Sequence, residues 1–284
     1  MPDLFKGRTL VMATMHGKDR FLGPMLEQKL GVKVIVPEQF NTDQYGTFSG
    51  ETERKQSQPE TARLKAEEAM RNTGADLALA SEGTFQPHHV FFMAQANYEL
   101  LLLKDALHNA EWQSWEVSLR TTSVSKTFHT PEEALKISKQ LKFPSHAAII
   151  KTHGSNGYAY VQKGLLDKEA LLMAAREALE ASSSGSAIIE NDLRAHMNPT
   201  RQKVILQAGR NLLKNLASPC TRCEWPGFGL EEKIPGLPCS LCGSATRLTQ
   251  FELFACTRCS YKEKRNREDG KRFAEPENCD SCNP

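Results

Sequence analysis

Four pairs of cysteines constrain this chain more than any other feature. All eight cysteines lie after residue 219, and every pair has the same two-residue gap: Cys220/Cys223, Cys239/Cys242, Cys256/Cys259 and Cys279/Cys282. A disulfide framework does not need a uniform gap, whereas a metal knuckle does, because the turn between the cysteines points both sulfurs at one ion. The spacing therefore predicts two tetrahedral sites with four cysteine ligands each, and two structural Zn2+ ions.

The spacing leaves the pairing of the four knuckles open. Thirteen residues separate Cys242 from Cys256, and the stretch TRLTQFELFA between them fits a β-hairpin. On that interpretation the second and third pairs share one ion and the outer pairs share the other. An interleaved arrangement, first pair with third and second with fourth, fits equally well. A module of about 65 residues with few large apolar side chains cannot form a sufficient hydrophobic core and needs bound metal to stabilise its fold. We therefore expect metal binding and folding to be coupled.

The residues before the cysteines alternate strand-like and helix-like segments. Apolar or β-branched runs predict strands at 9–14, 32–37, 76–83, 99–105, 115–128 and 147–153. Amphipathic runs with capping residues predict helices at 19–30, 59–74, 130–141 and 167–181. This alternation predicts an α/β fold, a mixed sheet flanked by helices.

A serine-rich stretch at 182–186 is typical of a linker. We therefore divide the chain into an α/β domain (1–186), a polar segment with a connecting helix (187–217), and a zinc-ribbon-like domain with two four-cysteine sites (218–284).

The net charge of the chain and the length of its apolar runs limit the partners that it can bind. The formal net charge is +2, which gives no strong attraction to nucleic acid or membranes. No apolar run approaches the ~18 residues of a membrane-spanning helix, and the N-terminus lacks the apolar core of a signal peptide. We expect a cytoplasmic protein with no membrane association. Residues 262–272 hold six bases against three acids, so this cluster is a candidate contact for RNA or an acidic protein.

The stretch ETARLKAEEAMRNTGADLALASEG (60–83) resembles the inosine/xanthosine triphosphate pyrophosphatases. The matching residues are Glu60, Lys65, Ala66, Ala69, Thr73, Gly74, Glu82 and Gly83. The loop ATMHGKDR (13–20) is similar to that family's opening strand and loop, with His16 where asparagine is usual and Lys18 or Arg20 in place of a lysine. The resemblance implies a nucleoside triphosphate pyrophosphatase-like fold and the hydrolysis of damaged purine nucleoside triphosphates.

The chemistry of these residues is consistent with that activity. Hydrolysis of a triphosphate needs cations around the phosphates, and carboxylates that hold Mg2+ and orient water. Glu60 and Glu82 are the candidate catalytic residues, and the candidate phosphate-binding residues are Thr14, His16, Lys18, Arg20 and Lys65. The hypothesis requires both carboxylates to line one pocket with Thr14 and Lys18, at the carboxyl edge of the sheet.

A polar segment, ENDLRAHMNPTR (190–201), precedes the last predicted helix. Asn198 suits the N-cap of that helix and Pro199 its first residue. Arg201 falls in the first turn, where a base is unfavourable unless an anion is bound. Arg194, His196 and Arg201 are therefore further candidate phosphate-binding residues. The rival interpretation is an internal salt-bridge joint between domains.

The same segment is similar to the ExDxRAHMNPTR-type segment of an uncharacterised bacterial family. That family combines the segment with an α/β domain and a cysteine-rich tail, and the resemblance implies no particular activity.

Two hypotheses on function follow. The first is a metal-dependent hydrolase acting on a nucleotide or related phosphate ester, such as a non-canonical purine nucleoside triphosphate pyrophosphatase, with a structural zinc module. The alternative is a non-catalytic nucleotide-sensing protein or an adaptor whose zinc module contacts protein or RNA. In both, the ligand is a nucleotide or another phosphate-bearing small molecule, and a homodimer is left open.

Overall fold

The computed structural model describes residues 3–46, 56–88, 93–155 and 157–283. By their contacts they form two units, Phe5–Leu212 and a smaller one in which Leu213–Pro284 joins Met1–Leu4. The larger unit is α/β, as the alternation predicts. Of residues 187–217, which we predicted to be a separate polar segment with a connecting helix, 187–212 belong by contact to this larger unit.

The first sheet of the larger unit is mixed and has five strands in the order β2-β1-β3-β4-β5. Their bounds are β1 Thr9–Ala13, β2 Lys33–Ile35, β3 Leu77–Pro87, β4 Gln95–Asp105 and β5 Ala110–Ser118. β1 runs parallel to β2 and β3, and β3, β4 and β5 form an antiparallel meander. Four successive leucines, 100–103, are fully buried in β4, which is expected of a central strand covered on both faces.

Helices cover both faces of this sheet. The helices are α1 Asp19–Leu30, α2 Gln58–Thr73, α3 Pro131–Ser138, α4 Lys168–Glu180 and α5 Pro199–Leu216. α2 and α5 lie on opposite faces of this sheet, whereas α3 and α4 pack against a second sheet. Glu111 and Ser114 point to opposite faces of β5 because side chains alternate along a strand. Glu111 accepts hydrogen bonds from Arg63 of α2, whereas Ser114 donates to the carbonyl oxygen of Ala208 in α5. The small side chains of α2 (Ala62, Ala66 and Ala69) are fully buried in the core it shares with the sheet.

The second sheet is antiparallel throughout, in the order β6-β9-β7-β8. Its strands are β6 Ser125–Phe128, β7 Ala148–Gly154, β8 Gly157–Leu165 and β9 Ala187–Asn191. Residues 115–128 are not the single strand that we predicted, since β5 and β6 belong to different sheets. β8 and β9 were not predicted: β8 consists mostly of half-buried residues without apolar alternation, and β9 is short and follows the serine-rich stretch.

The smaller unit contains a three-stranded antiparallel sheet, β10 Gly229–Pro235, β11 Thr249–Ala255 and β12 Lys262–Asn266, in chain order. The stretch 246–255 therefore contributes one strand, β11, and not the predicted hairpin. Among the described residues, no helix is both long and apolar enough to cross a membrane.

Candidate functional site

A narrow charged cavity of about 50 Å3 lies in the larger unit, just beyond the end of β1. β3 continues past its last pairing with β1, Ala13 with Ala80, and the next residues, Ser81 to Gly83, line the cavity. The basic side chains in its wall are His16, Lys18, Lys65, Lys163, Arg194 and Arg201. The acidic ones are Asp43, Glu82 and Asp192. The cavity is thus rich in cations, but it also contains carboxylates.

Six of the residues singled out from the sequence line this cavity together. They are His16, Lys18, Lys65, Glu82, Arg194 and Arg201, drawn from segments up to 185 positions apart in the chain. His196 is not part of the wall, but its ring stacks on the ring of His16 with centroids 5.4 Å apart. Asp43 and Lys163 also line the cavity, but they carry no motif and lie outside the regular apolar patterns, so they could not be identified from the sequence.

Glu60, Thr14 and Arg20 do not join the cavity. The Glu60 carboxylate accepts hydrogen bonds from the backbone N–H and the hydroxyl of Ser57, at 3.0 and 2.7 Å, which completes a capping box at the start of α2. These bonds hold the pKa of Glu60 below its ordinary value. Thr14 accepts a hydrogen bond from the His16 N–H at 3.2 Å and lines a separate cavity with Arg20. The requirement that both carboxylates line one pocket with Thr14 and Lys18 is therefore not met, since only Lys18 and Glu82 line it. A hydrolytic site that uses Glu60 and Glu82 together is not formed, and any hydrolysis has to depend on Glu82 with the other carboxylates of this cavity.

Lys65 and Glu82 form a buried ion pair in the wall of the cavity. The Lys65 amine also lies 5.5 Å from the centre of the Tyr45 ring. Lys18 donates a hydrogen bond to the Ser81 hydroxyl at 2.6 Å. Burial, reinforced by the nearby Arg201 cation, lowers the pKa of Lys18 to about 7.

Arg201 is held by a buried carboxylate that sequence reasoning did not identify. Its Nε and Nη2 donate to the two oxygens of Glu99, at 2.7 and 3.3 Å, and Nη1 donates to the carbonyl oxygen of Leu193 at 2.5 Å. The residue at 83 is glycine, and a Cβ there would lie 2.7 and 2.8 Å from the Glu99 oxygens and closer still to Nη2 of Arg201. The guanidinium therefore packs directly against the backbone of β3.

Arg194 is paired in the same way with its neighbour Asp192. The Asp192 carboxylate is fully buried and accepts from Nε and Nη2 of Arg194, the shortest distance being 2.5 Å. It also accepts from the backbone N–H groups of Arg194 and Gly164. Asn198 caps α5 as predicted, since its side-chain oxygen accepts from the Arg201 N–H at 3.0 Å. The 190–201 segment is thus salt-bridged, as the rival interpretation requires, and its two arginines also line the cavity with Glu82.

Both stacked histidines have a pKa below the ordinary value for histidine. Burial lowers the pKa of His16 to about 4, although its Nε2 lies 3.1 Å from the Asp43 carboxylate, which opposes the shift. Burial and the Arg194 cation lower the pKa of His196. His16 therefore contributes a hydrogen-bonding group to the cavity and not a fixed charge.

A larger cavity of about 400 Å3 adjoins the charged one and shares Gly46, Gly83 and Leu193 with it. Its other lining residues are a mixture of polar and apolar side chains from both sheets and the intervening segment: Thr84, Phe85, Gln95, Ser123, Val124, Ser125, Glu190 and Asn191. The two cavities together form a narrow charged space and a wider adjoining space that is lined by both polar and apolar side chains.

The cysteines of the smaller unit form two quartets that could each hold a metal ion. Within each, all four Sγ atoms lie within 4.8 Å of one another: Cys220, Cys223, Cys256 and Cys259 in one, and Cys239, Cys242, Cys279 and Cys282 in the other. Sγ–Sγ distances of 3.6 to 3.9 Å match the edge of about 3.8 Å expected for a tetrahedron with Zn–S bonds of about 2.3 Å. The pairing is interleaved, first knuckle with third and second with fourth, which excludes the nested alternative.

The fold and the sites together define an α/β protein with a charged cavity and a cysteine-rich unit whose two cysteine quartets could each hold a metal ion. The chain belongs to the family described as domain of unknown function (DUF6671), whose model matches residues 65–284. No functionally curated protein matches it. Among solved structures, protein VC0702 from Vibrio cholerae is similar to 73% of this chain over 94% of its own length, with 12% identity and a TM-score of 0.32.

Proposed function

We propose that this protein is a metal-dependent hydrolase acting on a nucleotide or a related phosphate ester. The observation that supports this most directly is the convergence of Lys18, Lys65, Arg194 and Arg201 with Glu82 in one narrow cavity. Cations that surround a small polar space are suited to phosphate groups, and arginine forks match phosphate geometry. The resemblance of residues 60–83 to nucleoside triphosphate pyrophosphatases favours a non-canonical purine nucleoside triphosphate as the substrate.

The shape of the two cavities supports a ligand with a charged and an uncharged part. A space of about 50 Å3 holds phosphate groups but not a whole nucleotide. The adjoining space of about 400 Å3, which contains Phe85 and several hydrogen-bonding side chains, is large enough for the remainder. Pockets for small molecules commonly combine an apolar lining with a few polar groups that fix orientation.

Glu82 is the predicted catalytic carboxylate that remains in the cavity. Mg2+ is usually held by one or two carboxylates together with substrate phosphates, and it keeps several waters. Glu82, with Asp43 in the same wall, fits that requirement once the substrate is bound. Bound there, Mg2+ would neutralise phosphate charge. Glu82 would orient the attacking water, while Lys18 and the two arginines hold the phosphates in place.

One observation favours the alternative, a non-catalytic protein that senses a nucleotide. Three of the cations are already paired with carboxylates: Lys65 with Glu82, Arg194 with Asp192 and Arg201 with Glu99. Such pairing fixes the side chains for recognition, and it leaves Glu82 engaged by a lysine. Binding and turnover must therefore be measured separately.

We expect Glu82→Gln to abolish turnover with little effect on substrate binding. The wild type should release pyrophosphate or phosphate from at least one member of a panel of canonical and damaged nucleoside triphosphates with Mg2+. Loss of a carboxylate that acts on the attacking water costs about 100-fold or more. Glu67→Gln is the matched control, because Glu67 lies on α2 outside the cavity wall and pairs with Lys104.

Equilibrium dialysis of the same panel separates the two hypotheses. Binding without turnover by the wild type would favour the sensing protein. Neither binding nor turnover for any member would contradict both.

We also expect anion binding to weaken as the pH rises through about 7. The pKa of Lys18 lies near that value, so its positive charge is present below pH 7 and is lost above it. Sulfate is a suitable probe, because its own charge does not change between pH 6 and 8.5, and its affinity can be followed by titration calorimetry. Lys18→Arg keeps the charge throughout this range and should flatten the profile. A wild-type affinity that does not change with pH would contradict this role of Lys18.

A further inference from the structure

Lys18 differs in its contacts from three of the other cations in the cavity wall. Lys65, Arg194 and Arg201 each form an ion pair with a carboxylate. Lys18 instead donates to the hydroxyl of Ser81 at 2.6 Å. In the described part of the chain, no carboxylate lies within ion-pair distance of its amine. The charged form of Lys18 is therefore stabilised less than that of its neighbours.

The groups that face Lys18 act in opposite directions. Arg201 on α5 and Lys65 on α2 repel a proton on the amine, whereas Glu99 on β4 and Glu82 on β3 favour it. Each of these carboxylates is paired with one of these two cations, so the opposing charges largely offset one another. Burial of the amine is then the largest effect, and it lowers the pKa of Lys18 to about 7. A substantial fraction of neutral amine is thus present near neutral pH, and the neutral amine is the nucleophilic form of lysine.

We propose that Lys18 is a nucleophilic amine in the cavity and a modification site for small aldehydes and ketones that carry a phosphate group. The phosphate part of this proposal rests on the proposed function, since Arg194 and Arg201 would bind the phosphate while the carbonyl group meets Lys18. The nitrogen lone pair attacks the carbonyl carbon and a C–N bond forms. The two amine protons leave with the carbonyl oxygen as water, and the product is an imine.

Reductive labelling of the full-length, metal-loaded protein tests this. The probe is pyridoxal 5′-phosphate at less than one equivalent, followed by borohydride and peptide mass spectrometry, between pH 6 and 9. We expect the label mainly on Lys18, with a rate that reaches half its maximum near pH 7. Lys65 is the internal control, because it shares the cavity but is paired with Glu82. Lys18→Arg should remove this label without lowering the melting temperature.

Two results would overturn the proposal. One is a label spread over exposed lysines such as Lys6, with Lys18 no faster than the others. The other is labelling of Lys18 that increases only towards pH 10, as for an ordinary lysine. Pyridoxal without its phosphate separates this proposal from the proposed function. Equal rates with both reagents would support the reactive amine and count against the phosphate site, whereas a tenfold preference for the phosphate form supports both.

Discussion

Removal of metal from the smaller unit is expected to unfold it. We expect two zinc ions per chain, one in each cysteine quartet. Structural zinc sites contribute roughly 10–16 kcal/mol of apparent binding free energy, which in a small module is also its folding free energy. A strong chelator should therefore abolish the dispersed amide signals of β10, β11 and β12 in nuclear magnetic resonance spectra, and restoring zinc should recover them.

The interleaved pairing makes the expected effect of a single ligand substitution large. Cys220 precedes β10 and Cys256 directly follows β11, so the first quartet links the segment before β10 to the end of β11, while the second joins Cys239 to Cys279. Cys220→Ser should lower the metal content to one ion or fewer and expose Trp225, which is buried two residues beyond Cys223. Thr257→Ser is the control, because it lies inside the third knuckle but supplies no ligand.

Metal analysis by mass spectrometry gives the stoichiometry. The change in tryptophan fluorescence relative to the wild type reports the exposure of Trp225, since Trp112 and Trp115 lie in the larger unit. One zinc ion or none in the wild type would contradict the all-cysteine zinc assignment. Retention of the folded sheet after complete metal removal would contradict the coupling between metal and fold.

The ligands of these sites could be predicted from the sequence because they depend on local geometry alone. A two-residue gap between cysteines brings both sulfurs to one side of a turn, whatever the rest of the chain does. The choice of partner knuckle depends instead on how β10, β11 and β12 pair, which is tertiary information. The spacing therefore allowed both arrangements, and only the folded sheet distinguishes them.

In the charged cavity too, the sequence identified residues that carry a local signal but not the distant residues that pair with them. Arg201 was identified because a base in the first turn of a helix conflicts with the helix dipole. Its partner Glu99 lies 102 positions away on a strand with no distinguishing motif, so sequence patterns could not identify the pair. Glu60 was assigned to the site, yet its spacing from Ser57 is that of a capping box, a local role that its position alone explains.

The strands were predicted where apolar runs are long and missed where they are not. β4, with its consecutive leucines, is buried on both sides and was identified from the sequence. β9 is only five residues long and its burial alternates, and it forms a strand because β6 and β7 pair with it on either side. Such pairing between distant segments is what sequence periodicity does not show.

Gly83→Ala is expected both to destabilise the larger unit and to weaken anion binding in the cavity. A methyl group at this position would meet the Glu99 carboxylate and the Arg201 guanidinium, and both side chains are almost completely buried, so any shift that relieves the contact disturbs their buried ion pair. Separating a buried ion pair costs about 3–5 kcal/mol, and forced overpacking costs about 1–3 kcal/mol. We expect a loss of several kcal/mol in urea-induced unfolding and a sulfate affinity at least tenfold lower.

A double-mutant cycle shows whether contact with Arg201 causes this loss. On an Arg201→Ala background the methyl group meets only the Glu99 carboxylate, so Gly83→Ala should have a clearly smaller further effect on stability and on sulfate binding than it has in the wild type. Gly229→Ala in β10 is the control, since the nearest atom to a Cβ there is 3.7 Å away. If the effects of Gly83→Ala and Arg201→Ala simply add, the two residues act independently. In that case the packing of Arg201 against the β3 backbone is not what positions it in the cavity.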